Sequence, residues 1–339
     1  MRTIVSVQEI SEFDIRPASV MLHWRKLVET EIAKRWSNRS GWINVDWPTC
    51  SQKDAMPAFE RYGISYVESS ACGSIYAPIR PNEEQLWAWY RESPPAQYWR
   101  EQVLSTSDTA RREKITRPRA AWVLDGIAEY VPSASRLVDV SVHGSGLVDL
   151  LAQENSKLAN VTACGITADL ENLSNPRVNV QPTRIANLPS HGPVEVIVAV
   201  DALDRASDLV ALVAAFKKLL APGGVVFATA PVASGFEVQA LWERSHTVLP
   251  PDKLNLPTVK GLKQIFTAPT WELLELSTPG MFDVAMVHQA ILADPDAPWP
   301  RVVRALVERS DDAGRMALVE FLQAQRLTSF ARLVARRSS

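Results

Sequence analysis

Residues 194–200 read Val-Glu-Val-Ile-Val-Ala-Val. A strand-length run apolar at nearly every position alternates too little for a sheet with one wet face, so it must be covered on both faces. The flanking sequence supplies the covers. Short β-branched runs at 136–140, 160–166 and 177–181 are interleaved with helical patterns, from Gly146 to Gln153 and over 206–220. Pro222-Gly223-Gly224 then ends a helix, and Val-Val-Phe-Ala-Thr-Ala follows as another strand. Strands alternating with helices predict an α/β domain, a Rossmann-like doubly wound sheet with ligands beyond the strand C-termini.

The rest of the 339 residues divides around this domain. We expect an N-terminal helical segment (1–40), a small α+β module (41–82), a helical linker region (83–130), the sheet domain (131–293) and C-terminal helices (294–339). Residues 18–37 carry a helical apolar pattern, and Asn82 with the polar residues after it opens another helix. Residues 41–80 are aromatic and β-branched runs broken by Pro and Gly, as in short strands. A proline-rich joint at 294–300 precedes two helices, 300–309 and 311–335. Seven tryptophans precede residue 100 (Trp24, Trp36, Trp42, Trp47, Trp87, Trp89 and Trp99), which gives that part its own aromatic core.

Charge excludes some functions. With 36 basic and 38 acidic residues, net −2, there is no electrostatic footprint for nucleic acid. The cluster Arg326, Arg332, Arg336 and Arg337 reads as a solvated helix end. Three cysteines, Cys50, Cys72 and Cys164, do not form a secreted disulfide framework. No apolar stretch reaches the length of a membrane span and no leader-like apolar core opens the chain, so a soluble, cytoplasmic protein is expected.

Three segments together resemble class I S-adenosylmethionine-dependent methyltransferases: Leu137–Val140 with its small-residue turn, residues 194–231 with their Pro-Gly-Gly, and Pro250-Pro251-Asp252-Lys253-Leu254-Asn255. Upstream, residues 50–81 are similar to the zinc ribbon that precedes some sugar and natural-product methyltransferases. The resemblance spans roughly 50 to 280 and implies S-adenosylmethionine as cofactor.

Each motif departs from the family pattern. Zinc needs four soft ligands, delivered as two Cys-x-x-Cys pairs. Here Cys50 and Cys72 remain, one from each pair, so zinc is not expected. At the three glycine positions of the cofactor loop the sequence places Ser141, His143 and Ser145, while a shift of one residue recovers Gly144 and Gly146. Asp139 ends the first strand. The ribose-binding acid falls on Thr167, with Asp169 two residues on, and the loop after the third strand, 182–189, has no carboxylate. Asp201 and Ala202 follow the fourth strand. Lys253 stands where the resemblance implies a histidine general base, and His246 is a possible replacement.

Such erosion of site residues beside an intact sheet points to a methyltransferase-like protein that does not transfer methyl groups. It would act as a scaffold or regulatory partner in a small-molecule or sugar pathway, its own partner being a small molecule or a protein such as an intact methyltransferase relative. The alternatives are an active, divergent methyltransferase of a sugar-nucleotide or natural-product intermediate, or a nucleotide or sugar binding module using Asp139, Asp201, Asp204 and Arg205.

Overall fold

The computed structural model describes residues 15–141, 146–165, 170, 173, 175–188, 192–267 and 269–338. Helix α1 (Ala18–Arg35) turns Met21, Trp24, Val28 and Ile32 inward. Five short strands follow: β1 (Ile43–Asn44), β2 (Ala55–Arg61), β3 (Ile64–Ser69), β4 (Ile75–Tyr76) and β5 (Ile79–Arg80). Between β2 and β3 only Tyr62 and Gly63 intervene, at φ +48° and +75°. Two positive φ values in a two-residue loop match the right-handed twist of the hairpin strands.

Helix α2 (Glu83–Glu92) begins with a capping box, in which Gln85 N donates to Asn82 Oδ1 and Asn82 N to Gln85 Oε1. The chain continues through α3 (Pro94–Tyr98), a π-helical turn (Trp99–Leu104), α4 (Ser105–Arg111), a second π turn (Arg112–Thr116) and α5 (Arg117–Tyr130). Aromatic pairs fasten this layer together. Trp36 stacks on Trp89 at 5.0 Å and Trp24 lies 4.8 Å from Trp99.

The central sheet begins with β6 (Arg136–Asp139), α6 (Leu147–Glu154), β7 (Asn160–Cys164), β8 (Val178–Gln181), β9 (Val194–Ala199), α7 (Leu209–Leu219) and β10 (Leu220–Pro231). The chain continues through α8 (Phe236–Leu241), β11 (Asn255–Leu256), α9 (Val259–Thr267), β12 (Trp271–Ser277), α10 (Asp283–Ala293), α11 (Arg301–Val303), α12 (Asp312–Ala324) and β13 (Phe330–Arg337). Seven strands pair in the order β8-β7-β6-β9-β10-β13-β12, with β13 antiparallel to both neighbours. The fold is therefore the doubly wound α/β sheet that the alternation predicts.

Strand β9 is buried on both faces. Ile197 and Ala199 join one core with Val226, Phe216 and Phe266; Val196 and Val198 join the other with Phe227, Val123 and Leu151. Each large side chain so buried stabilises the fold by about 1.5–3 kcal/mol. Pro222-Gly223-Gly224 lies where the β9–β10 register shifts, between Leu220 and Val225. Gly223 has φ +80°, and a Cβ on Gly224 would sit 3.0 Å from Glu195 O, so both positions need glycine.

The C-terminus departs from expectation. Residues 311–335 are not one helix: α12 stops at Ala324, Arg326 turns at φ +58°, and β13 follows. Ala, Leu and Arg favour helix locally, but pairing with β10 and β12 overrides that preference. The arginines are packing residues, not a solvated helix end. Arg332 lies 5.4 Å over Trp122, Arg336 pairs with Glu272 at 3.0 Å, and Arg326 Nε donates to Leu276 O.

The N-terminal layer and the sheet domain share structure. Strand β11 pairs with β4 in a four-stranded sheet, β11-β4-β3-β2. Among the described residues, no helix is long and apolar enough to cross a membrane.

Candidate functional site

The sheet's strand order reverses direction at β6 and β9, the switch point where open α/β sheets leave a crevice. A cavity of about 250 Å³ occupies it. Val140, Cys164 and Gly165 line it from the ends of β6 and β7, Thr183–Asn187 from the loop after β8, and Ala202 and Arg205–Asp208 from the loop after β9. Leu212 and its neighbours on α7 form one wall. Glu83, Leu86, Trp87 and Tyr90 of α2 form the opposite one. Most of this lining is apolar, as in small-molecule sites.

At the end of β6, Asp139 is buried and faces Ser141, whose backbone N and Oγ both donate to Asp139 Oδ1. Burial pushes the Asp139 carboxyl up to about 6, against the pull of Ser141's hydroxyl and N–H. Ser141 Oγ also accepts from Val200 N at 3.2 Å. Its side chain thus ties β6 to β9 and does not line the cavity. Gly146 holds φ +68° as α6 begins, and a Cβ there would meet nothing within 4 Å. His143, Gly144, Ser145, Thr167 and Asp169 lie outside the described residues.

The loop after β9 is the polar part of the site. Asp201 takes φ +53°, a conformation uncommon for a side chain with Cβ. Its N–H donates to Thr229 Oγ1, and that hydroxyl donates back to Asp201 Oδ1, each at 3.0 Å. Arg119 of α5 lies 3.6 Å from the carboxylate. Desolvation opposes the charge of Asp201, but Arg119, Lys253 and Arg205 hold its carboxyl well below the usual range. Ala202, beside it, is buried and lines the cavity.

Asp204 is fully buried, and Lys253 Nζ is paired directly with its Oδ2. Arg205 lies 3.4 Å from Asp252 and 4.0 Å from Asp204. Beneath them Arg80, also fully buried, donates to Ala206 O, Leu254 O and Asn255 Oδ1. Burial lowers this guanidinium to about 10.

Of the two expected catalytic residues, Lys253 is the cation of an ion pair with Asp204 and does not line the cavity. His246 is exposed, its Nδ1 3.5 Å from Arg25 Nη1 on α1, and does not line the cavity. Of the expected cofactor-binding residues, Ala202 lines the cavity, whereas Asp139 ends β6 and Asp201 follows β9 without lining it.

Cys50 and Cys72 come together through hydroxyls. Ser69 Oγ donates to Cys50 Sγ at 3.1 Å, and Cys72 Sγ donates to Ser74 Oγ at 3.1 Å. Thr258 N donates to that same Ser74 Oγ, and Thr258 Oγ1 to Cys72 O, which joins the cluster to the start of α9. Among the described residues, no group of three or more His, Cys, Asp or Glu side chains is placed to hold a metal.

Sequence reasoning missed the α2 wall, Glu83 and Trp87, together with Arg80, Arg119 and Arg184. The spacing of Glu83 and Trp87, one helical turn, puts them on one face. Nothing local says which loop that face meets.

No family model matches the sequence, and no curated protein does. Several solved structures are similar. The plantazolicin methyltransferase BpumL, in complex with a triazolic desmethylPZN analog and SAH, is 12% identical, with 75% of this chain and 95% of that chain covered, at a TM-score of 0.48. Coclaurine N-methyltransferase, bound to N-methylheliamine and SAH, is 13% identical over 64% of this chain and 72% of that chain, at 0.40. The [4+2]-cyclase SpnF is 18% identical over 70% and 84%, at 0.40. At these identities the likeness is one of fold alone.

Proposed function

We propose that this chain is a methyltransferase-like protein that binds an adenosyl nucleoside in the cavity at its switch point and does not transfer a methyl group. The observation that carries this reading is the pairing of an open cavity with an occupied base position. About 250 Å³ is free at the ends of β6 and β7, while Lys253 is ion-paired with Asp204.

The residues present fit a nucleoside. Gly165, at φ +156°, gives bare backbone at the end of β7, and a Cβ there would meet only Leu170, at 3.8 Å. Ile185, Ala202 and Leu212 offer apolar walls for a planar base. When bound, S-adenosylmethionine supplies an electrophilic methyl group.

Transfer to oxygen or carbon also needs a base beside the acceptor. An ammonium held by a buried carboxylate has no lone pair to offer, and His246 sits against Arg25 instead. Among the described residues, the two expected bases therefore support binding without proton removal.

Calorimetric titration with S-adenosylhomocysteine is expected to give a saturable heat. Labelled S-adenosylmethionine, incubated with the protein and a metabolite extract, is expected to yield no S-adenosylhomocysteine above the protein-free control. Silence in the titration removes the binding claim; turnover removes the non-catalytic one and favours a divergent methyltransferase.

A further inference from the structure

The loop after β8 has no carboxylate of its own, yet the fold delivers one to it. Glu83, Leu86, Trp87 and Tyr90 of α2 all line the cavity; Leu86 and Tyr90 are at the same time part of the N-terminal core, and Glu83 and Trp87, one turn apart, are the two with a charge and an indole to offer. Opposite them, Arg184 lies 3.2 Å from Glu83 Oε2, and its guanidinium sits 5.0 Å over the Trp87 ring. The helix is fixed where these contacts need it. Asn82 Nδ2 donates to Gly41 O and Gln85 Nε2 to Ser40 O, which pins its first turn.

We propose that Glu83 and Trp87 recognise the base of a nucleoside in this cavity, with Glu83 accepting from an exocyclic amino group and Arg184 clamping both residues. The inference rests on the nucleoside reading above and adds the determinant of base identity.

An ionised carboxylate only accepts hydrogen bonds. Adenine presents an amino donor at its six position, whereas hypoxanthine presents a carbonyl oxygen, which would oppose the carboxylate. A site that must leave a polar group facing an unmatched partner discriminates far better than one that only loses an apolar contact. The other cavity carboxylate, Asp208, is engaged in capping: its Oδ1 accepts from Ala211 N at 2.9 Å. The Trp87 ring, with Arg184 against it, adds a flat apolar surface of the kind on which bases stack.

The test is calorimetric titration of the full chain with adenosine and with inosine, for the unaltered protein, Glu83→Gln and Arg184→Gln. Because both nucleosides are titrated into the same sample, the ratio of affinities is insensitive to any loss of folded protein. Adenosine is expected to bind about tenfold or more tighter than inosine. In Glu83→Gln, whose amide can donate to a carbonyl, that ratio is expected to fall to within about threefold. Arg184→Gln, which lies off α2, is expected to weaken both nucleosides and leave adenosine preferred. Three outcomes overturn this inference and leave the functional reading standing: a ratio unmoved by Glu83→Gln, a preference for inosine, or binding of S-adenosylhomocysteine without binding of adenosine. Absence of binding by adenosine, inosine and S-adenosylhomocysteine alike overturns both.

Discussion

Lys253 gives its ammonium to Asp204, a carboxylate with no exposure to water. The same Lys253 belongs to the segment that feeds β11 into the N-terminal sheet, and Leu254 N and Asn255 N both donate to Asp204 O. The ion pair therefore fastens the loop after β9 to the layer above it.

Removing the lysine leaves that carboxylate buried with Arg205, 4.0 Å away, as its remaining ion-pair partner among the described residues. Lys253→Met is expected to lower stability by about 3–5 kcal/mol in urea unfolding, the usual cost of stranding a buried charge. A loss below about 1 kcal/mol would mean that water reaches Asp204.

Asp139 predicts a pH dependence. Burial raises its folded pKa from 3.8 to about 6, so the folded state binds the proton more tightly than the unfolded chain. The stability linked to that proton is complete below about pH 4 and is lost as pH rises through about 6. Asp139→Asn has no such proton. Its stability relative to the unaltered protein should rise between pH 4 and 7, by up to about 3 kcal/mol, read from denaturant midpoints.

Gly126 of α5 lies against Phe227 of β10 so closely that a Cβ would fall 2.4 Å from Phe227 Cε1. Gly126→Ala is expected to destabilise by about 1–3 kcal/mol despite its better helix propensity. Phe227→Leu should recover part of that loss in the double variant, seen as a coupling energy in a mutant cycle.

Arg80 answers the carbonyls of Ala206 and Leu254 and the side chain of Asn255 from inside the protein. Arg80→Met leaves Ala206 O with Asn255 Nδ2 and Leu254 O with Ala77 N, but strips Asn255 Oδ1 of its Arg80 donor, at about 1–3 kcal/mol for an acceptor left unpaired in the interior. Thermal melting should show a large destabilisation. Binding at the cavity should also weaken, because Ala206 lines it.

The sheet was legible because its signal is local. A run such as 194–200 has one sensible home, and Pro222-Gly223-Gly224 marks a register shift where two backbones approach. The last strand was not legible: residues 330–337 carry good helix formers, and only β10 and β12, distant in sequence, make them a strand. The same holds at the cavity. Ala202 could be found by its place after a strand end, whereas Glu83 and Trp87 could not be assigned to the loop after β8.

The sequence by itself determined the alternation of strands and helices, the two-sided burial of β9 and the polar residues at the strand ends, since these follow from periodicity and turn chemistry within a few residues. Only the tertiary structure decided that Lys253 is the partner of Asp204, that Ser141 turns toward β9, and that a helix from the N-terminal layer walls the cavity. Those outcomes depend on which side chains meet across the fold, and one-dimensional spacing carries no record of such meetings.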